Sequence, residues 1–73
     1  MNLARYIVVF NSAPSDSVKA NALAKIESLG GSVISDLSII NGVSVELPES
    51  SVSALEADEN VKYVEKDSQV SIN

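Results

Sequence analysis

Strand-like and helix-like segments alternate along this chain in an order that few folds can accommodate. The first strand is predicted over Arg5 to Phe10, whose residues are β-branched and aromatic. A helix follows, with Ser12 or Ser15 as its candidate N-terminal cap, and Gly30-Gly31 is expected to end it. Its apolar face is predicted from residues that recur at helical spacing: Val18, Ala22, Ile26 and Leu29.

The middle of the chain predicts a pair of strands. Ser32 to Ile40 is expected as the second strand, and Asn41-Gly42 is the dipeptide best suited to a tight hairpin. The third strand alternates, with Ser44 and Glu46 on its polar side. Its apolar side is formed by Val43, Val45 and Leu47.

A second, shorter helix and a last strand complete the pattern. Pro48 is expected to break the third strand, and a helix beginning near Glu49 would turn Val52 and Leu55 inward. Asp58-Glu59-Asn60 would end that helix. The fourth strand is predicted over residues 61–64, and residues 65–73 are expected to form a polar tail.

The order strand, helix, strand, strand, helix, strand is that of the ferredoxin-like α+β fold. Two right-handed crossovers would place both helices on one face of a four-stranded antiparallel sheet and leave the other face bare. The first strand has five consecutive apolar residues, so its Ile7 and Val9 side and its Tyr6 and Val8 side cannot both face the helices. Either a partner covers the bare side, or some apolar area stays in water.

The composition argues against catalysis and against a metal or other cofactor. Among the 73 residues there is neither cysteine nor histidine, which excludes a Ser-His-Asp triad, a cysteine nucleophile, a disulfide and a thiolate zinc site. Carboxylate pairs such as Glu56 with Asp58 or Glu59, or Glu65 with Asp67, could serve as acid and base. A solvated charged turn is the better interpretation.

Charge and hydropathy restrict the partners. A net charge of −5 would repel nucleic acid and anionic lipid, and apolar runs of at most five residues are too short to span a membrane. The segment Met1 to Phe10 does not have the pattern of a signal peptide. An acylphosphatase-like enzyme would need a basic phosphate cradle after the first strand, and residues 11–15 hold no lysine or arginine. We expect one small domain that binds protein and is a monomer when free.

Several landmarks together resemble one family: the pro-domains of subtilisin-like serine proteases and the stand-alone proteinase inhibitors that share their fold. The landmarks, in order and spacing, are Tyr6-Ile7-Val8-Val9-Phe10, Gly30-Gly31, Ile40-Asn41-Gly42 and Val61-Lys62-Tyr63-Val64-Glu65-Lys66-Asp67. The resemblance covers nearly the whole chain. The last landmark also resembles the stretch that precedes the processing site in pro-domains, and the chain stops at about that site.

The resemblance implies a division into an inhibitor domain over residues 1–67 and a C-terminal tail over residues 68–73. The bare sheet face would pack on two helices of the protease, which Glu65 and Asp67 would cap. Lys66 stands where many relatives carry another acid, which would weaken this negative cluster. The tail would lie in the substrate cleft like the acyl side of a cleaved peptide, with Asn73 nearest the catalytic serine. Its cleft residues would be Val70, Ser71, Ile72 and Asn73.

The resemblance therefore implies a protease inhibitor, which would also act as an intramolecular chaperone if it derives from a protease precursor. It would be extracellular as a pro-domain and cytoplasmic as a free-standing inhibitor that starts at Met1. The alternative from another class is a ferredoxin-like regulatory or oligomerisation domain. Such a domain would not need the residues from Val70 to Asn73.

Overall fold

In the computed structural model, which describes residues 3–67, two helices pack on one side of a four-stranded antiparallel sheet. The strands lie in the order β2-β3-β1-β4. This confirms the predicted α+β fold with β-α-β-β-α-β order. The elements in chain order are β1 (Leu3–Phe10), α1 (Asp16–Ser28), β2 (Ser32–Leu37), β3 (Gly42–Pro48), α2 (Val52–Glu56) and β4 (Val61–Lys66).

The core lies between the sheet and the helices. Tyr6 is paired with Val45, and Val8 with Val43, so that alternate residues of the two central strands point to the same side. The helices contribute Ala22, Ile26 and Leu55 to this core. Leu47, Phe10 and Val61 complete it. Neither described helix has the length or the apolar composition needed to cross a membrane.

Both ends of α1 are closed by the residues that the sequence indicates. The Ser15 hydroxyl accepts a hydrogen bond from the Val18 amide at 3.2 Å, so Ser15 and not Ser12 is the cap. At the other end the Gly30 amide donates to the Glu27 carbonyl, and the Gly31 amide donates to the Ile26 carbonyl. These two bonds form a Schellman motif, with Gly30 in the left-handed region at φ 91°.

The prediction for the β2–β3 connection is wrong in two respects. β2 ends at Leu37, and Ser38–Ile40 forms a single 3₁₀ turn instead of continuing the strand. Asn41 does adopt the left-handed conformation, at φ 56°, but Gly42 does not, so the two do not form a tight hairpin. Glycine is required at position 42 for another reason, because an added Cβ would lie 2.6 Å from the Val8 carbonyl oxygen.

The last strand is longer than predicted. β4 continues through Glu65 and Lys66, with Glu65 opposite Ile7, so these two residues do not belong to the tail. The Asp67 amide still donates to the Arg5 carbonyl oxygen at 2.9 Å. β4 is an edge strand, where charged side chains are tolerated because one side of the strand faces water. Residues 68–73, the predicted tail, lie outside the described residues.

Candidate functional site

The sheet surface opposite the helices is called the open face here. Its members follow from the register, because cross-strand partners point to the same side of a sheet and neighbours along a strand to opposite sides. The open face consists of Leu3, Arg5, Ile7, Val9, Ser32, Ser35, Leu37, Gly42, Ser44, Glu46, Tyr63, Glu65 and the adjoining Asp67. Among residues 3–67, neither helix covers this surface.

An apolar stripe follows β1 down the middle of the open face. Val9 is buried although it is not part of the core between sheet and helices, because it lies between Gly42 and Tyr63 on the flanking strands. Ile7 is half-buried, and Tyr63 is exposed. The predicted bare side of β1 therefore exists, with its apolar side chains concentrated on a central strand.

Polar side chains border this stripe. Ile7 has Ser44 on one side and Glu65 on the other, and Arg5 lies opposite Glu46. An apolar centre with a polar rim is the anatomy of protein-binding surfaces. This arrangement suits a protein partner better than bulk water.

Glu65 and Asp67 lie on the same side of the sheet. The predicted capping of two protease helices by both residues needs this arrangement. They are two residues apart on one edge, which corresponds to about 7 Å along the strand. Lys66 lies between them but points to the helix side, where its Nζ is 3.5 Å from Glu49 Oε2. The expected weakening of the acidic cluster by Lys66 is therefore reduced, because the lysine is paired on the opposite face.

Of the other carboxylates considered as acid and base, near the end of α2, Asp58 has a structural role. Asp58 accepts a hydrogen bond from the Asn60 amide at 2.8 Å, and its other oxygen is 3.5 Å from Lys25 Nζ. It closes the turn after α2 and ties that turn to α1. In the described part of the chain, no group of three or more acidic side chains is placed to hold a metal ion.

Comparison with protein families matches this chain over residues 5–73 to a model described as peptidase inhibitor I9. The chain belongs to the peptidase inhibitor I9 family, the family of subtilisin propeptides. A comparison with curated proteins gives no match. Membership in the I9 family indicates a peptidase inhibitor or propeptide role and implies a non-catalytic protein that binds a peptidase.

The predicted cleft residues of this I9 domain, from Val70 to Asn73, lie outside the described residues. The structure does place the point from which they continue. Asp67 is hydrogen-bonded beside Arg5, at the end of the open face where β1 begins and β3 ends. Glu65 and Asp67, the last described residue, therefore lie at one end of the sheet.

At the opposite end lies an exposed apolar feature that the sequence analysis missed. Ile39 is 97% exposed, whereas the other large exposed apolar residues in the described part of the chain are 36–48% exposed. Leu37, Ile39 and Ile40 line a surface groove of about 380 Å³. The sequence predicts a regular strand through Ile40, in which alternate side chains are covered. No feature of the sequence therefore identified Ile39 as an exposed residue.

Proposed function

We propose that this protein inhibits a subtilisin-like serine protease by packing its open face on the enzyme and laying its C-terminal tail in the substrate cleft. The tail would bind as a cleaved product does, through Val70, Ser71, Ile72 and Asn73. The observation that carries the proposal is the apolar stripe on β1, which neither described helix covers and which ends at Ile7, opposite Glu65 and near Asp67. The protein would act by binding alone and catalyse nothing.

The apolar stripe would supply the central contact. Ile7 and Tyr63 are accessible on the open face, and an aromatic side chain surrounded by aliphatic ones is a frequent hot spot of protein interfaces. β1 is a central strand, held by β3 on one side and β4 on the other. The stripe is therefore presented by the most constrained part of the sheet, which limits the entropy lost on binding.

The acidic pair would orient the complex. Packed helices lie about 8–10 Å apart, and carboxylates about 7 Å apart along one strand could each approach the N-terminus of one of two neighbouring helices. A carboxylate at a helix N-terminus is worth about 0.3–2 kcal/mol. Glu65 and Asp67 would thus fix the direction of binding more than its strength.

The tail would supply specificity for the cleft. An extended segment can add to the edge of a cleft through main-chain hydrogen bonds while alternate side chains enter pockets. Val70 and Ile72 alternate with the polar Ser71 and Asn73. The aliphatic residues would be the anchors, because burying each is worth at least about 1.5 kcal/mol.

The decisive experiment titrates a subtilisin with the full chain and with a chain that ends at Gln69. We expect the inhibition constant to rise about 100-fold or more, from two aliphatic side chains at ~1.5 kcal/mol each. Ser71→Ala in the full chain is the matched control and should change inhibition little. Equal potency of the full and shortened chains would eliminate cleft insertion. A chain that self-associates and leaves the protease active would support the alternative, an oligomerisation domain.

The acidic pair is tested by the double variant Glu65→Gln with Asp67→Asn. We expect weaker inhibition and a smaller dependence on salt, because exposed charge interactions are screened by ions. Glu56→Gln with Glu59→Gln removes the same charge from exposed positions near α2, away from the open face. Equal effects of the two double variants would show that only net charge matters and would dismiss helix capping.

If the chain derives from a protease precursor, the same contacts would assist folding of the enzyme. A ligand that binds the native protease and not its unfolded chain stabilises the native state by mass action. The yield of active enzyme on refolding should therefore rise when the inhibitor is added in trans. Variants that weaken inhibition should lower this yield in parallel, and an unchanged yield would argue against a chaperone role.

A further inference from the structure

We infer that the turn Ser38–Ile40 is a second anchor on the protease, with Ile39 inserting into an apolar depression of the enzyme surface beyond the contact of the open face. This inference rests on the proposed function and extends it to the far end of the sheet. The function proposed above uses the open face and the tail and gives no role to this turn.

Among residues 3–67, no packing contact accounts for an isoleucine at position 39. A side chain that is 97% accessible contributes almost no burial to the folded state. Ile40, next to it, is exposed as well, and both border the groove of about 380 Å³. Adjacent apolar residues exposed beside a groove mark an interaction site more often than a single exposed residue does.

The backbone of the turn is held in place. The Asn41 amide donates to the Ser38 carbonyl oxygen at 3.1 Å, which closes the 3₁₀ turn. The Asn41 carbonyl oxygen in turn accepts from the Phe10 amide at 2.9 Å, which ties the turn to β1. Ile39 is thus presented by a pre-formed turn, and a partner would not have to order it.

The groove continues directly into the open face. Leu37 lines the groove and also belongs to the open face, opposite Gly42, which in turn lies opposite Val9 of the apolar stripe. A protease that covers the stripe would therefore reach the edge of the groove. This continuity is why we assign the groove to the protease and not to a separate partner.

The local charge is compatible with an apolar contact. Asp36 is the one charged residue that lines the groove, and it is paired with Lys19 of α1. The net charge of −5 works against an anionic lipid surface and against association of two copies. An uncharged apolar patch on the protease is the occupant that these observations favour.

The two anchors would lie at opposite ends of the sheet. The turn is tied to Phe10, and Asp67, after which the predicted tail follows in sequence, is tied to Arg5, five residues earlier on the same strand. This corresponds to about 17 Å. Because contributions from sites so far apart are expected to add, the effect of Ile39 should be the same with and without the tail.

The test compares Ile39→Ser and Ile39→Leu in the full chain, with Ile34→Ser as control. Ile34 is also an exposed isoleucine, but it lies at the irregularity in the β2 edge strand and not at the groove. Binding is measured to a subtilisin whose catalytic serine has been replaced by alanine, so that digestion does not contribute. Ile39→Ser should weaken binding about tenfold, whereas Ile39→Leu and Ile34→Ser should stay within about twofold.

Each outcome separates this inference from the proposed function. If the shortened chain binds weakly but Ile39→Ser binds like the unchanged protein, the second anchor is wrong and cleft insertion stands. If the unchanged protein does not bind at all, both are wrong. A lower urea unfolding midpoint of Ile39→Ser would show that Ile39 stabilises the fold, which contradicts its role as an anchor. Loss of self-association in sedimentation, with protease binding unchanged, would assign it to a second copy.

Discussion

The two glycines after α1 are expected to respond very differently to substitution by alanine, because only one of them is enclosed. An added Cβ at Gly31 would lie 2.5 Å from the Glu46 carbonyl oxygen and 2.8 Å from Leu47 Cδ1. At Gly30 the nearest atom would be Cγ of Pro48, at an ordinary contact distance of 3.5 Å. Alanine at position 31 must therefore displace the third strand, whereas alanine at position 30 would make only ordinary contact with Pro48.

The size of each effect follows from these distances. Relief of the Gly31 clash needs a shift of about 0.9 Å, from 2.5 Å to the 3.4 Å at which ordinary contact begins. The atom in the way is backbone of a strand that is hydrogen-bonded on both sides, so the cost should reach about 3 kcal/mol, the upper end for overpacking. Alanine at Gly30 costs only the left-handed conformation, about 1–2 kcal/mol.

Both losses of stability can be measured by urea unfolding, with far-ultraviolet circular dichroism as the signal. A chain of this length is expected to be stable by roughly 4–11 kcal/mol. With a slope of about 1 kcal/mol per M, Gly31→Ala should lower the unfolding midpoint by about 3 M and Gly30→Ala by about 1–2 M. Equal midpoints, or a larger loss for Gly30→Ala, would refute the steric argument.

Inhibition should be far less sensitive than stability. The apparent affinity is the affinity of the folded protein multiplied by the fraction of molecules that remain folded. A variant that keeps about 1 kcal/mol of stability is still folded in roughly five molecules of six. Gly31→Ala should therefore inhibit a subtilisin almost normally at 25 °C, unless the shift of the third strand also disturbs the open face.

Three further variants, with Ser12→Ala as a control for one of them, test the helix contacts by the same unfolding measurement. Ile26→Ala should cost about 2–5 kcal/mol because the side chain is fully buried, and a cost below about 1 kcal/mol would contradict its place in the core. Ser15→Ala should cost about 1 kcal/mol through loss of the N-terminal cap, whereas Ser12→Ala should be neutral. Lys19→Met should cost less than about 1 kcal/mol, since the two ends of its ion pair are 32% and 53% exposed, and that cost should vanish in high salt.

The elements that sequence reasoning located well are those in which one apolar period dominates. Helix α1 has apolar residues at helical spacing between a serine cap and a glycine pair, and strand β3 alternates strictly from Val43 to Leu47. In both cases local preference and burial require the same conformation. Strand β1 is apolar from Tyr6 to Phe10, so the sequence predicted that one of its apolar sides faces away from the helices but not which one.

The β2–β3 connection could not be predicted because its local signals conflict. Ser32 to Ile40 contains β-branched residues throughout, and alternation alone favours a strand to the end. The chain leaves the strand because Asn41 is hydrogen-bonded to Phe10 of β1, a contact 31 residues away in sequence. Such a long-range contact leaves no trace in the local pattern, which is why Ile39 was missed.

The candidate site was predictable only in outline. The closeness of Glu65 and Asp67 in the sequence was enough to predict that they act together. The continuation of β4 through Glu65 and Lys66, however, depends on their pairing with β1. That pairing decides which side each residue faces. The opposite orientation of Lys66, and hence its separation from the acids, could not have been read from the sequence.

A single strand thus supports both stability and binding, and its register keeps them apart. Tyr6 and Val8 of β1 lie in the core, whereas Ile7 and Val9 lie on the open face. Because side chains alternate with a period of two, a slip of one residue would exchange these sets. Residue 7 can therefore vary to suit different partners at little cost to the core, whereas residue 8 cannot.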